Sequence, residues 1–266
     1  MTAYYLGLDM GSAFSKGVLM KTDRVVTSYA CPTGGEIKVT AERIRDEVLL
    51  KAGAAKQDIL KTVATGYGSK TVFFANVTVT DMSAHAKGVI HLCPSIRTVV
   101  DIGDLYSKVF RIDSQGNLQS FLLSGKCAGG SGRALTMIAK VLQLKIEEMG
   151  EIALRSTKKV EFSTGCAVFA ESEAVSRIAE GVAKEDLLAG FYRALAAQLN
   201  ALAERLGLEP DYAMVGGGAR NAGLVKAMED LYGFEIVVPP DPHMTAALGA
   251  ALIAAETVRQ EIKVRQ

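Results

Sequence analysis

The sequence predicts an α/β fold of two similar lobes with a ligand cleft between them. Three observations predict it: an internal duplication, the strand–turn–strand setting of both copies, and a separate glycine loop late in the chain. Residues 9–16 read DMGSAFSK and residues 101–108 read DIGDLYSK, a shared frame of Asp-x-Gly-x-x-aromatic-Ser-Lys. Asp9 matches Asp101, Gly11 matches Gly103, Phe14 matches Tyr106, Ser15 matches Ser107 and Lys16 matches Lys108.

Each copy has the same surroundings. The apolar runs YYLGL and TVV lead into the motifs, and GVLM and VFRI follow them as strands. A third strand comes next, RVVTSYA in the first half and LQSFLL in the second, after the turn residues Thr22-Asp23 and Asp113 to Asn117. A helix follows in each half. Ile44, Val48 and Leu49 line one face of the first, and Leu135, Ile138, Ala139 and Leu142 line the second. Residues 187–206 then carry apolar residues at steps of three and four, the clearest helix in the chain. AMVGGG and FEIVVPP read as strands running into loops, with a helix from Ala222 to Leu231 between them. TAALGAALIAAETV is a final helix, tightly packed by its alanines. The predicted lobes are residues 1–90 with 245–266, and residues 91–244. The length of 266 residues suits two such lobes better than one core.

Composition narrows the function. The net charge is +1 and no basic run stands out, which argues against nucleic acid and anionic membranes as partners. The start of the chain lacks the charged and apolar regions of a signal peptide. No apolar run reaches the length of about 18 residues that a membrane span needs, so a cytoplasmic protein is expected. Its four cysteines are then expected to be thiols or metal ligands rather than disulfides.

A strand–turn–strand with a central glycine lets the backbone approach a phosphate closely. The turn of Gly11, Ser12, Ala13 and Phe14 offers N–H groups, and the Ser12 and Ser15 hydroxyls can add to them. Lys16 can offset phosphate charge. Asp9 and Asp101, at the strand ends, suit a Mg²⁺ ion held through water. One such motif is an ordinary hairpin turn. Two matching copies, with Gly216-Gly217-Gly218 as a floor for an adenosine moiety, point to a nucleotide.

Cys127 lies in GKCAGGSGRAL and Cys166 in FSTGCAVFAESEAVS, each just before a predicted helix. The expected apolar stripe of the second helix is Ala174, Val175, Ile178 and Val182. A helix N-terminus favours a thiolate and an anionic cluster beside it. A 4Fe–4S cluster usually takes four thiolates, and a two-fold homodimer would double two to four. Spacing alone leaves alternatives open. Buried cysteines often serve as small hydrophobes, and a single chain could in principle use all four. Cys31 and Cys93 sit at the ends of other elements and read as structural, as do His85 and His91.

The loops in this order resemble the two phosphate motifs and the adenosine motif of the actin/Hsp70/sugar-kinase superfamily, whose lobes are actin-like (ribonuclease H-like). GLDMGSAFSKGV, TGYG, SAHAKGV, DIG, KCAGGSGRAL, CAVFAESEAVS, VGGGARN and ALGAAL together resemble one family along nearly the whole chain. It is the 2-hydroxyacyl-CoA dehydratase activator family, also called the BadF/BadG/BcrA/BcrD ATPase family. The resemblance implies an ATP-dependent reductive activator, an ATPase coupled to electron transfer. It implies a homodimer with one bridging 4Fe–4S cluster held by Cys127 and Cys166, and one ATP/ADP site with Mg²⁺ per chain. It further implies a low-potential transfer from a ferredoxin or flavodoxin-like donor to an iron–sulfur acceptor enzyme. That acceptor would be a 2-hydroxyacyl-CoA dehydratase, a benzoyl-CoA reductase or a double-cubane cluster protein. By resemblance the phosphate loop carries over to Ser12 through Lys16 and the adenosine loop to Gly217 and Gly218, with the loop Val238-Pro239-Pro240 closing over the adenine; Gly11, Gly103 and Gly216 join them as candidate nucleotide contacts. One departure stands out: the family's Asp-Ile-Gly-Gly-Gln-Asp is Asp101-Ile102-Gly103-Asp104-Leu105-Tyr106 here. Asp104 is the candidate for orienting the attacking water. Two rival functions from the residues alone are a small-molecule kinase of the same superfamily and a nucleotide-gated interaction module without a cluster.

Overall fold

Both copies of the duplicated motif lie at the turn between two antiparallel strands. The computed structural model describes residues 3–125, 131–162 and 167–265. They divide into unit 1, Met1–Ser95, Ile112–Leu118 and Met244–Gln266, and unit 2, Ile96–Arg111 and Gln119–His243.

In unit 1, β1 (Tyr4–Met10), β2 (Phe14–Lys21) and β3 (Arg24–Pro32) form an antiparallel meander. After α1 (Ile37–Ala52), β4 (Ile59–Thr65) returns parallel to β1, and β5 (Val77–Thr78) pairs beyond it. The sheet order is β3-β2-β1-β4-β5. α2 (Asp81–Leu92) follows, its N-terminus capped by Thr80 Oγ1 accepting from Ser83 N at 3.1 Å.

Unit 2 repeats the plan. β6 (Thr98–Ile102), β7 (Ser107–Ile112) and β8 (Leu118–Leu123) are the second meander. Here α3 (Gly132–Leu142), α4 (Met149–Ala153), α5 (Ala167–Ala179) and α6 (Lys184–Leu206) come before β9 (Tyr212–Val215). β9 lies parallel to β6 in the order β8-β7-β6-β9. α7 (Ala222–Tyr232) follows, and the last helix, α8 (Thr245–Arg265), belongs to unit 1.

The expected helix faces are buried. Ile44, Val48 and Leu49 of α1 pack on Leu6, Leu8, Met10 and Leu19 of the sheet. Leu135, Ile138, Ala139 and Leu142 of α3 join the large core of unit 2 with Leu188, Phe191, Leu195 and Leu199 of α6. Two expectations need correction. FEIVVPP forms only one bridge, Ala213 to Val237, rather than a strand. Val237 N donates to Tyr212 O and accepts, through its O, from Met214 N, both at 3.0 Å. The ladder then stops, because Pro239 and Pro240 have no N–H to continue it. In α5, Ala170 and Ala174 are buried, whereas Val175 and Ile178 are 55% and 41% exposed. The packed face of α5 follows the small alanines, and Val175 lies about 100° round the helix from Ala174.

The second face of the unit 1 sheet is covered by α8. Ala247, Leu248 and Ala251 pack on Val18 and Met20, and Ala246, Ala250 and Ala254 pack with Val63 and Ala84. Glycines set the contact distance. A Cβ at Gly7 in β1 would meet Ala250 C at 2.9 Å, and one at Gly88 in α2 would meet Thr245 C at 3.0 Å. A Cβ at Gly249 in α8 would meet Ala84 C at 2.6 Å. The α2–α8 crossing therefore has no room for a side chain at Gly88 or Gly249. At its edge, the buried His85 Nδ1 lies 2.6 Å from Thr245 Oγ1, a structural pairing. Gly249→Leu should cost about 3 kcal/mol, the upper part of the overpacking range, read as a lowered urea midpoint.

Candidate nucleotide and cluster site

The first phosphate-type loop is fixed by what its ends must satisfy. Asp9 and Lys16 are register partners across β1 and β2. Asp9 is buried, and Lys16 Nζ donates to its Oδ2 at 2.7 Å. Behind the carboxylate stands Gly66, just after β4, at φ +86; a Cβ there would meet Asp9 Oδ1 at 2.5 Å. Gly68 N donates to Met10 O at 2.9 Å. The turn itself is held by Thr33. Its Oγ1 donates to Gly11 O at 2.7 Å, and its N–H donates to Ala13 O at 2.9 Å. Ser15 is fully buried and its hydroxyl lies 2.8 Å from Thr33 Oγ1. Since Thr33 has given its one proton to Gly11, Ser15 is the donor. The Ser15 hydroxyl thus braces the loop from inside, while Gly11 and Ser12 are half-buried and Ala13 and Phe14 exposed.

Unit 2 builds the same cage. Asp101 and Lys108 are register partners in β6 and β7, and Lys108 Nζ donates to Asp101 Oδ2 at 3.0 Å. Both residues are buried. Gly216, at φ +83 after β9, stands behind this carboxylate, and a Cβ there would run into Asp101 Oδ1. Gly103 N donates to Tyr106 O at 3.1 Å, closing the turn. Ser107 N donates to Ser124 Oγ at 3.0 Å and Ser124 N returns to Ser107 O at 2.8 Å, the counterpart of the Ser15–Thr33 pair.

The glycine loop after β9 is anchored on both sides. Gly216 N donates to Pro242 O at 3.0 Å, and Gly218 packs on Ile102 where a Cβ would meet Ile102 Cβ at 2.7 Å. Gly217 faces open space, with nothing within 4 Å of where its Cβ would stand. Asn221 Oδ1 caps α7 by accepting from Leu224 N at 3.1 Å, and its Nδ2 donates to the buried Tyr192 hydroxyl at 2.8 Å. Burial pushes the Tyr192 phenol well above its ordinary value. Pro240 is exposed, on the far side of the buried Pro239.

Cys127 and Cys166 lie outside the described residues, but the chain on either side of them is described. Before Cys166, residues 156–162 are fastened to α6. Asp186 Oδ1 accepts from Lys158 N at 2.8 Å and from Ser156 Oγ and Thr157 N, both at 2.9 Å. Arg193 Nη2 donates to Val160 O at 2.9 Å, and the Phe162 ring stands edge-on to Phe191 with centroids 6.0 Å apart. α5 then begins at Ala167. After Cys127, α3 begins at Gly132, and its first amides donate to the loop of Gly103 and Asp104. Glu173 pairs with Arg177 at 3.4 Å within α5. Burial pushes the Cys31 and Cys93 thiols up, which disfavours the thiolate form a metal ligand needs. Among the described residues no group of His, Cys, Asp and Glu has the makings of a metal site.

Reasoning from sequence missed Gly66, Thr33 and Lys108 as parts of the site. A signal for Gly66 exists, since Thr65-Gly66 follows its strand as Val215-Gly216 follows β9.

The BadF/BadG/BcrA/BcrD ATPase profile matches residues 6–254. The chain belongs to that family. A 2-hydroxyisocaproyl-CoA dehydratase activator from Clostridioides difficile is 38% identical over 260 residues, 98% of both chains. The (R)-2-hydroxyglutaryl-CoA dehydratase activating ATPase of Acidaminococcus fermentans is 37% identical, across 96% of this chain and 98% of the relative. The solved structure of the Clostridium difficile 2-hydroxyisocaproyl-CoA dehydratase activator, with bound ADPNP, superposes with a TM-score of 0.92 at 39% identity, over 98% of this chain and 97% of that one. The fold is therefore that of the actin-like ATPases and sugar kinases.

Two outcomes follow from the charge pairs. Lys108→Met strips Asp101 of its lysine and should cost about 3 kcal/mol in urea unfolding, as expected for half of a buried ion pair; adding Asp101→Asn should recover part of it. Asp186 is held below the usual carboxylate range by the Lys158 N–H first, then the Ser156 hydroxyl and the Thr157 N–H. A depressed folded value means its contribution is complete above about pH 4 and fades as pH falls through that lower value. Asp186→Asn should flatten the acid limb of a stability–pH curve.

Proposed function

We propose that this chain is an ATP-dependent reductive activator. In this reading it is a homodimer with one bridging 4Fe–4S cluster, two ligands, Cys127 and Cys166, coming from each protomer. It drives low-potential electrons into a partner iron–sulfur enzyme at the expense of ATP. The acceptor best supported is a 2-hydroxyacyl-CoA dehydratase, the class named for the relatives at 37–38% identity. A benzoyl-CoA reductase or a double-cubane cluster protein is the other acceptor class, and a ferredoxin or flavodoxin-like protein the donor.

The observation that carries the reading is the duplicated cage of aspartate, lysine and glycine. Gly11 and Gly103, where a Cβ would meet Phe14 O and Tyr106 O, keep the two turns tight and free of side chains, a fit for close approach by a phosphate. Lys16 and Lys108 hold the charge of Asp9 and Asp101 in place. When Mg²⁺–ATP binds, each lysine can turn toward phosphate as its carboxylate turns toward the water shell of the ion. Gly217, open above its loop, leaves a surface on which an adenosine can lie. Asp104, half-buried beside Gly103, orients the attacking water.

The cluster reading is supported by helices that begin at Gly132 and Ala167, shortly after Cys127 and Cys166 in the chain, since a helix start carries partial positive charge. It also fits the exposed Val175 and Ile178, neighbours at i and i+3 on α5, an apolar pair suited to a second copy. When bound, the cluster supplies a one-electron carrier. The protein's share is to hold the thiolates, shield them and move them with the nucleotide state.

Anaerobically purified protein should be brown and hold about four irons per dimer. Cys166→Ala should lose the iron and dissociate. Colourless, iron-free protein after anaerobic reconstitution with iron and sulfide would sink the cluster reading.

A further inference from the structure

The first turn of α3 is capped by the second phosphate-type loop. A helix start leaves four N–H groups without helical partners. Ser131, at the N-cap position, makes no side-chain cap. Gly132 N donates to Gly103 O at 2.8 Å instead, and Arg133 N donates to Asp104 O at 3.2 Å. Gly132 is what permits the approach, since a Cβ there would stand 3.2 Å from Gly103 O and 3.4 Å from Asp104 Cα. The side chains add a second tie: Arg133 Nε lies 3.5 Å from Asp104 Oδ2.

We infer that Arg133 is a positioning residue whose ion pair with Asp104 latches the second phosphate loop to the first turn of α3, so that nucleotide binding at Gly103 is felt by the helix that follows Cys127. The inference rests on the nucleotide reading proposed above. A phosphate settling against this turn displaces the peptide between Gly103 and Asp104, whose carbonyl caps Gly132. Two backbone bonds alone would let the helix end fray as the loop moves. The ion pair spans the same joint from outside and keeps loop and helix moving as one piece. Coupling of this kind needs a difference in nucleotide affinity between the joined and frayed states.

The test is hydrogen exchange of the α3 amides in anaerobically purified protein, with and without MgADP, alongside calorimetric MgADP binding. In the wild type, MgADP slows exchange at the start of α3. Arg133→Gln should reduce that slowing about two- to fivefold, the size of a half-exposed ion pair. Its MgADP affinity should change little, because the frayed state is the minor one. Arg133→Lys keeps the charge and should restore most of the response. Nucleotide-dependent slowing in Arg133→Gln equal to wild type overturns the latch. So does an α3 that exchanges faster in Arg133→Gln with no nucleotide present and still slows in full when MgADP is added. A wild-type chain with no affinity for MgADP overturns the functional reading and the latch together.

Discussion

A carboxylate buried at the end of a sheet strand has to be paired and enclosed, and both halves of this protein are arranged around that demand. Asp9 and Asp101 are each 7% exposed or less. An ionised carboxylate without partners at such a depth would be very costly. The lysine directly opposite on the neighbouring strand answers the charge, and a glycine from the parallel strand leaves space for the remaining oxygen. Once these are placed, much else follows. The turn between Asp and Lys must be short, and the strand on the other side of the Asp strand runs parallel to it and leads into a glycine.

The duplicated frame was legible because identical chemistry recurs at identical spacing, and Asp, Gly and Lys each have a reason to be there. The helices were legible from their apolar steps. What the sequence hid was anything joined across long separations. Thr33 braces a turn some twenty residues earlier, and nothing in its neighbourhood marks it. Gly66 lies in TGYG, which reads as a plain turn until β4 is known to lie beside β1. Lys108 was visible as a repeat partner, but its role needed the register with Asp101. FEIVVPP had the composition of a strand, and only the prolines after Val238 explain why a single bridge forms. The face of α5 misled for another reason: small alanines pack where larger Val175 and Ile178 were expected to. An apolar residue on a helix states that it seeks a partner, not that the partner is in the same chain.

The approaches to the two cysteines share one property. Each is tied to rigid structure within a few residues of the thiol, by Ser107 and Ser124 before Cys127 and by Asp186, Arg193 and Phe191 before Cys166. At Gly103 one strand end serves a phosphate-type turn and a helix start at once.

The position of α8 has a consequence for how the chain is made. The strands of the unit 1 sheet are made well before Thr245–Arg265, which covers one of its faces. The segment from β6 to α7 emerges in full before that cover exists. During synthesis the early strands therefore wait with Val18, Met20 and Val63 bare, while the later unit already has its core. In the nascent chain the unit 1 sheet therefore needs shelter for longer than the core of unit 2.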